Sequence, residues 1–208
     1  MKRLVPKHPL AIRWFHWINF PLLAVMIWSG TLIYWANPAY VKPSQAFWKA
    51  LNVPYRLAEG MAFHFFFMWL FGINGLLYVI YTIVSGEWRE LVPDRRSFKE
   101  AWQVFLHDLH LRKEPPPQQK KYNAAQKISY TLIVVMGFLS LLTGMAIYKP
   151  VQFGWLRWLF GGYKGARFFH FWLTVGYVGF FLVHVGQVIK TGWNNFRAMV
   201  IGVEVVND

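Results

Sequence analysis

Four long stretches of this chain contain no charged side chain. No Asp, Glu, Lys or Arg occurs between Arg13 and Lys42, Glu59 and Glu87, Lys127 and Lys149, or Arg167 and Lys190. The gaps hold 28, 27, 21 and 22 residues, mostly aliphatic and aromatic. A helix needs about 20 apolar residues to cross a bilayer. The pattern therefore predicts four spans, near residues 12–35, 60–84, 126–148 and 167–189. The expected fold is an all-α integral membrane four-helix bundle, with residues 1–208 forming one membrane domain.

The polar stretch over residues 85–126 carries a second pattern. In SFKEAWQVFLHDLHL, Ser97 and Glu100 have the spacing of a capping box. Phe98, Ala101, Trp102, Phe105, Leu106 and Leu109 then recur with helical period. This predicts an amphipathic helix lying on the membrane face. The following EPPPQQKK ends it.

Composition agrees with the membrane class. The chain is 56% hydrophobic and 20% aromatic, with 12 Trp. The net charge of +13 does not point to nucleic acid, because the basic residues sit in segments that flank the spans. With the N-terminus inside, inner segments hold fifteen Lys and Arg and outer segments seven. The positive-inside rule then places both termini in the cytoplasm. The first apolar run is too long for a signal peptide and no small-residue cleavage site follows it, so it reads as a span of the mature protein. Cysteine is absent, which excludes disulfides, thiolate metal sites, iron–sulfur clusters on this chain and covalent c-type haem.

Histidine is the chemistry the spans do contain. His170 and His184 share the last span. Fourteen residues leave them about 40° short of four full turns and about 21 Å apart along the axis. His64 lies about a turn inside the outer end of span two, level with His170. His16 lies about a turn inside the inner end of span one, level with His184. The four thus form two pairs, one per leaflet. Neutral imidazole is a good iron ligand, and bis-histidine binding of two b-type haems between helices suits a chain without cysteine. The rival reading of any one intramembrane histidine is a packing residue or a proton relay. His107 and His110 read as a solvated helix face. Gly72, Gly75, Gly137, Gly144, Gly176, Gly179 and Gly186 either clear room for flat porphyrins or pack helices closely. Arg13, Lys164 and Arg167 lie near the expected haem edges.

RWFHWINF, His64, KKYNAAQKISY and GARFFHFWLTVGYVGFFLVHVGQVIKTGWNNFRAMVIG together resemble the bacterial di-haem cytochrome b superfamily. This holds the membrane subunits of formate dehydrogenases, nickel–iron hydrogenases and thiosulfate reductases, and the chain looks closest to the last branch. The resemblance covers nearly the whole chain. It implies His64 with His170 on an outer haem and His16 with His184 on an inner one. It implies a quinone site at Asn123 and Gln126, with Ala125 standing where the family usually has Gly. It further implies a periplasmic redox partner of molybdopterin or iron–sulfur type, and residence in the bacterial inner membrane. Read alone, Asn123 and Gln126 are polar residues at a helix start, where such residues commonly cap. Proton exchange at the quinone is expected from Asp108, Glu114 or His107. The alternative function is a stand-alone oxidase of a small anion such as superoxide. Lys42, Lys49, Arg56, Arg157, Lys164 and Arg167 would draw that anion to the outer face.

Overall fold

The computed structural model describes residues 2–108, 110–114 and 121–207. In chain order the elements are β1 (Lys2–Pro6), α1 (Leu10–Ala36), α2 (Gln45–Ala50), α3 (Leu57–Ser85), α4 (Trp88–Leu91), α5 (Arg95–Asp108), α6 (Ala124–Tyr148), α7 (Gly154–Leu159), α8 (Gly162–Thr191), α9 (Trp193–Ile201) and β2 (Val203–Asn207). Four of them, α1, α3, α6 and α8, are long and apolar enough to cross a membrane. Each contains one predicted span and extends it by up to five residues at an end. The 30 residues of α8 reach about 45 Å, which exceeds a hydrocarbon core of about 30 Å. Pro21 sits inside α1, which runs on through it.

Local chemistry sets the helix ends. Gly86 stops α3 with φ 78°, a conformation that a Cβ disfavours. Asn123 and Gln126 cap α6 reciprocally: Asn123 Oδ1 accepts from Gln126 N at 2.9 Å, and Gln126 Oε1 accepts from Asn123 N at 3.0 Å. The cap of α5 differs from the expected one. The helix begins at Arg95, and Asp94 Oδ1 accepts from Ser97 N at 2.9 Å while Asp94 N donates to Ser97 Oγ at 3.1 Å. Asp94 is the cap, and Ser97 plays the part expected of Glu100. The apolar stripe of α5 also divides. Phe98, Trp102 and Phe105 are exposed, whereas Ala101 and Leu106 are half-buried and Leu109 lies outside the described residues.

The bundle is two helix pairs with a hollow between them. α1 packs along α3, and α6 packs along α8. α5 lies on α6, and the two pairs meet through α3 and α6. Closely packed side chains gather at the end of the bundle away from β1 and β2, in one cluster of Leu32, Trp48 and Val53 and another of Ala146, Leu156 and Ala166. The middle of the bundle is a cavity of about 2880 Å³.

A two-stranded ribbon closes the other end. β1 pairs antiparallel with β2, from Lys2 opposite Asn207 to Pro6 opposite Val203. Both ends of the described chain therefore lie on one side, as four crossings require. Lys7 Nζ donates to Glu204 Oε2 at 2.6 Å and to Asn195 Oδ1 at 3.2 Å. Arg13 Nη1 donates to Val200 O at 2.7 Å, and Trp17 Nε1 to Met199 O at 3.0 Å, which tie α1 to α9.

His8 lies buried beside this ribbon, its ring against Tyr122. Burial pushes its pKa down to about 4, and the Lys121 and Lys7 ammonium groups push the same way, with Glu204 opposing. The folded state thus holds His8 neutral, while the unfolded chain takes up a proton near its ordinary value. The stability this gives is complete above about pH 6.5 and is lost as pH falls from there towards 4. Amide exchange in β1 and β2, corrected for intrinsic rates, is expected to speed up between pH 7.5 and pH 5. A His8→Gln protein, which cannot titrate, is expected to lose that pH dependence. Equal protection at both pH values in the parent protein would contradict the assignment.

Candidate functional site

The cavity is lined by all four intramembrane histidines. α8 supplies one ring to each level of it. His170 faces His64 of α3, with ring centroids 6.2 Å apart and planes at 76°. His184 faces His16 of α1, with centroids 6.1 Å apart and planes at 57°. These pairs cross the two gaps, α3 to α8 and α1 to α8, where the helices themselves stand apart.

The separation of the rings can be compared with two simple geometries. A direct ring-to-ring hydrogen bond, with nitrogens about 3 Å apart, brings imidazole centroids to about 5 Å. Two nitrogens each about 2 Å from a shared metal put the centroids about 6 Å apart. Both pairs have the second spacing. Among the described residues no three His, Cys, Asp or Glu side chains converge as a bare metal ion requires. A haem would need only two side chains from the protein to hold its iron, and each histidine pair could supply them. The cavity also exceeds the ~300–1,000 Å³ of an ordinary small-ligand pocket several-fold, so it has volume for more than one large cofactor.

Hydrogen bonding bears on the protonation of the outer pair. A hydroxyl has one proton to give. Ser29 Oγ reaches Val25 O at 2.7 Å and lies 3.0 Å from His64 Nδ1, and the Met26 carbonyl also interacts with that ring, so a proton on Nδ1 suits all these partners. Thr143 Oγ1 likewise reaches Leu139 O at 2.8 Å and lies 2.9 Å from His170 Nδ1. These partners suit the tautomer with its proton on Nδ1 and the Nε2 lone pair free, which is the ligating form. The inner pair is held otherwise. The Phe180 ring stacks on His184 at 5.6 Å and 6°, and Trp17 meets His16 edge-on at 5.0 Å.

Other expected residues divide. Asn123 and Gln126 both line the cavity, and their side-chain oxygens are engaged in the α6 cap. Their amide N–H groups are what they can offer a ligand. Of the three basic residues expected at haem edges, Arg167 lines the cavity and Arg13 and Lys164 do not. Arg13 is held by α9 instead. Of the glycines, Gly144 faces His170, and a Cβ on Gly75 would meet open space. Gly72 and Gly176 instead pack against Leu141 and Met136. Ser29, Gly30 and Thr143 were not legible as site residues. A lone small polar residue in an apolar run looks the same whether it faces a ligand or a neighbouring helix.

Against known sequences, residues 7–202 match the profile of the prokaryotic cytochrome b561 family. The chain belongs to the prokaryotic cytochrome b561 family. Its members are membrane cytochromes with haem b, and the histidine pairs fit that cofactor. The protein is a multi-pass membrane b-type cytochrome that transfers electrons. It is 32% identical over 190 residues to a protein of Azospira oryzae provisionally named protein-methionine-sulfoxide reductase subunit YedZ1. The match covers 90% of this chain and 92% of the relative. In this cytochrome b561 family member, α8 carries one histidine of each pair.

Proposed function

We propose that the protein is a di-haem cytochrome b of the bacterial inner membrane that moves electrons between the quinone pool and an outer-face redox partner. The observation that carries this is the pair of metal-spaced histidine couples at two depths, 6.1 and 6.2 Å between ring centroids. His64 and His170 would hold an outer haem b, and His16 and His184 an inner one. Haem b, when bound, accepts and donates one electron at a time. The chain's own part is to hold four neutral imidazoles at two levels and to keep the space between them dry. Leu23, Phe71, Ile133 and Phe181 among others line that space with hydrocarbon.

The quinone is proposed to bind where the cavity reaches the ribbon end. Asn123 and Gln126 present amide N–H groups there, beside Tyr122 and Gln187. Asp108 lies at the same end, but it is a poor proton carrier. Burial pushes its pKa up, yet hydrogen bonds from Lys190 at 2.7 Å and Gln187 at 2.9 Å outweigh that, so it lies below its ordinary value. It stays an anion at neutral pH. The partner is proposed to be a soluble reductase carrying molybdopterin or an iron–sulfur centre, and the relative's name makes a methionine-sulfoxide reductase the first to try.

The test is a reduced-minus-oxidised spectrum and haem-to-protein ratio on the detergent-purified chain, followed by mixing with a short-chain quinol. Two b haems per chain and rapid haem reduction by quinol are expected. A preparation without haem, or two haems inert to quinol and quinone alike, would reject the reading.

A further inference from the structure

Ser29 and Thr143 are both fully buried inside spanning helices. A buried hydroxyl is destabilising unless it is hydrogen-bonded. Each settles its proton within its own helix, by bonding back to the fourth carbonyl before it. Each then has an oxygen lone pair left, 3.0 Å from His64 Nδ1 and 2.9 Å from His170 Nδ1, where the Met26 and Ser140 carbonyls also interact with the rings. A glycine follows in both cases. A Cβ on Gly30 would lie 3.5 Å from His64 Cε1, and one on Gly144 would lie 3.4 Å from His170 Cε1. The same cradle of hydroxyl, glycine and ring thus occurs twice, from α1 towards α3 and from α6 towards α8. The inner pair has no such cradle. His16 Nδ1 is buried without a hydrogen-bond partner among the described residues.

We propose that Ser29 and Thr143 are positioning residues that lower the reduction potential of the outer haem and leave the inner one unaffected. The proposal rests on the di-haem reading. An oxygen that accepts from Nδ1–H draws the proton away from the ring and makes Nε2 a stronger donor. A stronger donor favours the more highly charged iron, so the ferric state gains more than the ferrous one. The couple is one electron onto one iron, with no bond made or broken. The two cradles act on opposite faces of the same centre, so removing either hydroxyl shifts the same component.

The test is a redox titration of the purified holoprotein, reduced stepwise with dithionite and followed in the haem α-band, for the parent, Thr143→Val, Ser29→Ala and Thr143→Ser. Two titrating components are expected in the parent. In Thr143→Val and in Ser29→Ala one midpoint rises and the other stays, and Thr143→Ser returns it. Each tenfold change in the ferric-to-ferrous preference reads as 59 mV for one electron. Titrations that superimpose on the parent, with two haems still bound, overturn the proposal. So does equal movement of both components, or a loss of haem from Thr143→Val that Thr143→Ser fails to restore. A parent protein with a single haem would sink the di-haem reading alone. The shift of that haem in Ser29→Ala and Thr143→Val would still decide what the hydroxyls do.

Discussion

On the proposed di-haem reading, a His170→Ala protein is expected to purify with about half the haem of its parent. α8 places one of the proposed ligands at each of two levels. His170 is the contribution of α8 to the outer level only, and His184 stands about 21 Å further along the same helix. Removing His170 leaves His64 without an opposing ring. It also removes the ring that Thr143 Oγ1 meets at 2.9 Å, while the hydroxyl keeps its bond to Leu139 O. The inner pair keeps both rings, its Phe180 brace and its contacts with α1. Haem per chain, measured as the pyridine haemochrome against protein mass, is therefore expected to fall by about half, as it must when one of two bis-histidine sites is lost. The surviving spectrum belongs to the inner centre. A His184→Ala protein is expected to retain the complementary one. Retention of both haems by His170→Ala, or loss of both, would show that the rings are not paired by level.

Replacing Gly60 by Ala is expected to loosen the whole α1–α3 half. A Cβ at this position would lie 2.7 Å from Leu32 Cβ, 3.0 Å from Ser29 O and 3.2 Å from Ile33 N. Two of these three atoms are helix backbone, which cannot turn aside as a side chain can. The helices have to part, and overpacking of this kind costs about 1–3 kcal/mol. For a chain of this length each kcal/mol lowers Tm by about 2–4 °C. The damage is specific as well as general, because one of the atoms in the way belongs to Ser29, whose Oγ lies 3.0 Å from His64 Nδ1. Thermal unfolding in detergent, followed by circular dichroism and by the haem band together, is expected to show the outer haem released first and at a lower temperature than in the parent. An unchanged Tm with normal haem retention would mean that α1 and α3 do not depend on close approach at Gly60.

The spans were legible because the absence of charge is a coarse signal that survives without alignment, and because a bilayer sets the length. The histidine pairing was legible for a related reason. Depth along a helix follows from residue number alone, and His16, His64, His170 and His184 each needed only a depth. What depends on azimuth was not legible. Ser29 and Thr143 matter because they face a ring on the next helix, and nothing in TLIVVMGFLSLLTGMAIY distinguishes Thr143 from Ser140. The α5 cap was misplaced because VPDRRSFKE offers two overlapping frames, Asp94 to Ser97 and Ser97 to Glu100. The sequence does not rank them. The β1–β2 ribbon was missed because KRLVP has no clean alternation and its partner lies about 200 residues away. For Asn123 and Gln126 the plain reading as a helix cap describes the observed bonds, and the ligand reading remains for their amide groups.

The ribbon gives the chain a schedule. Chain is made at about 5–20 residues per second, so β1 leaves the ribosome roughly 10–40 s before β2 exists to pair with it. During that interval the four long helices can enter the bilayer while Glu204, part of the wall at the ribbon end, has not yet been synthesised. Glu204 reaches its place among the residues that line the cavity only once β2 has been made and has paired with β1.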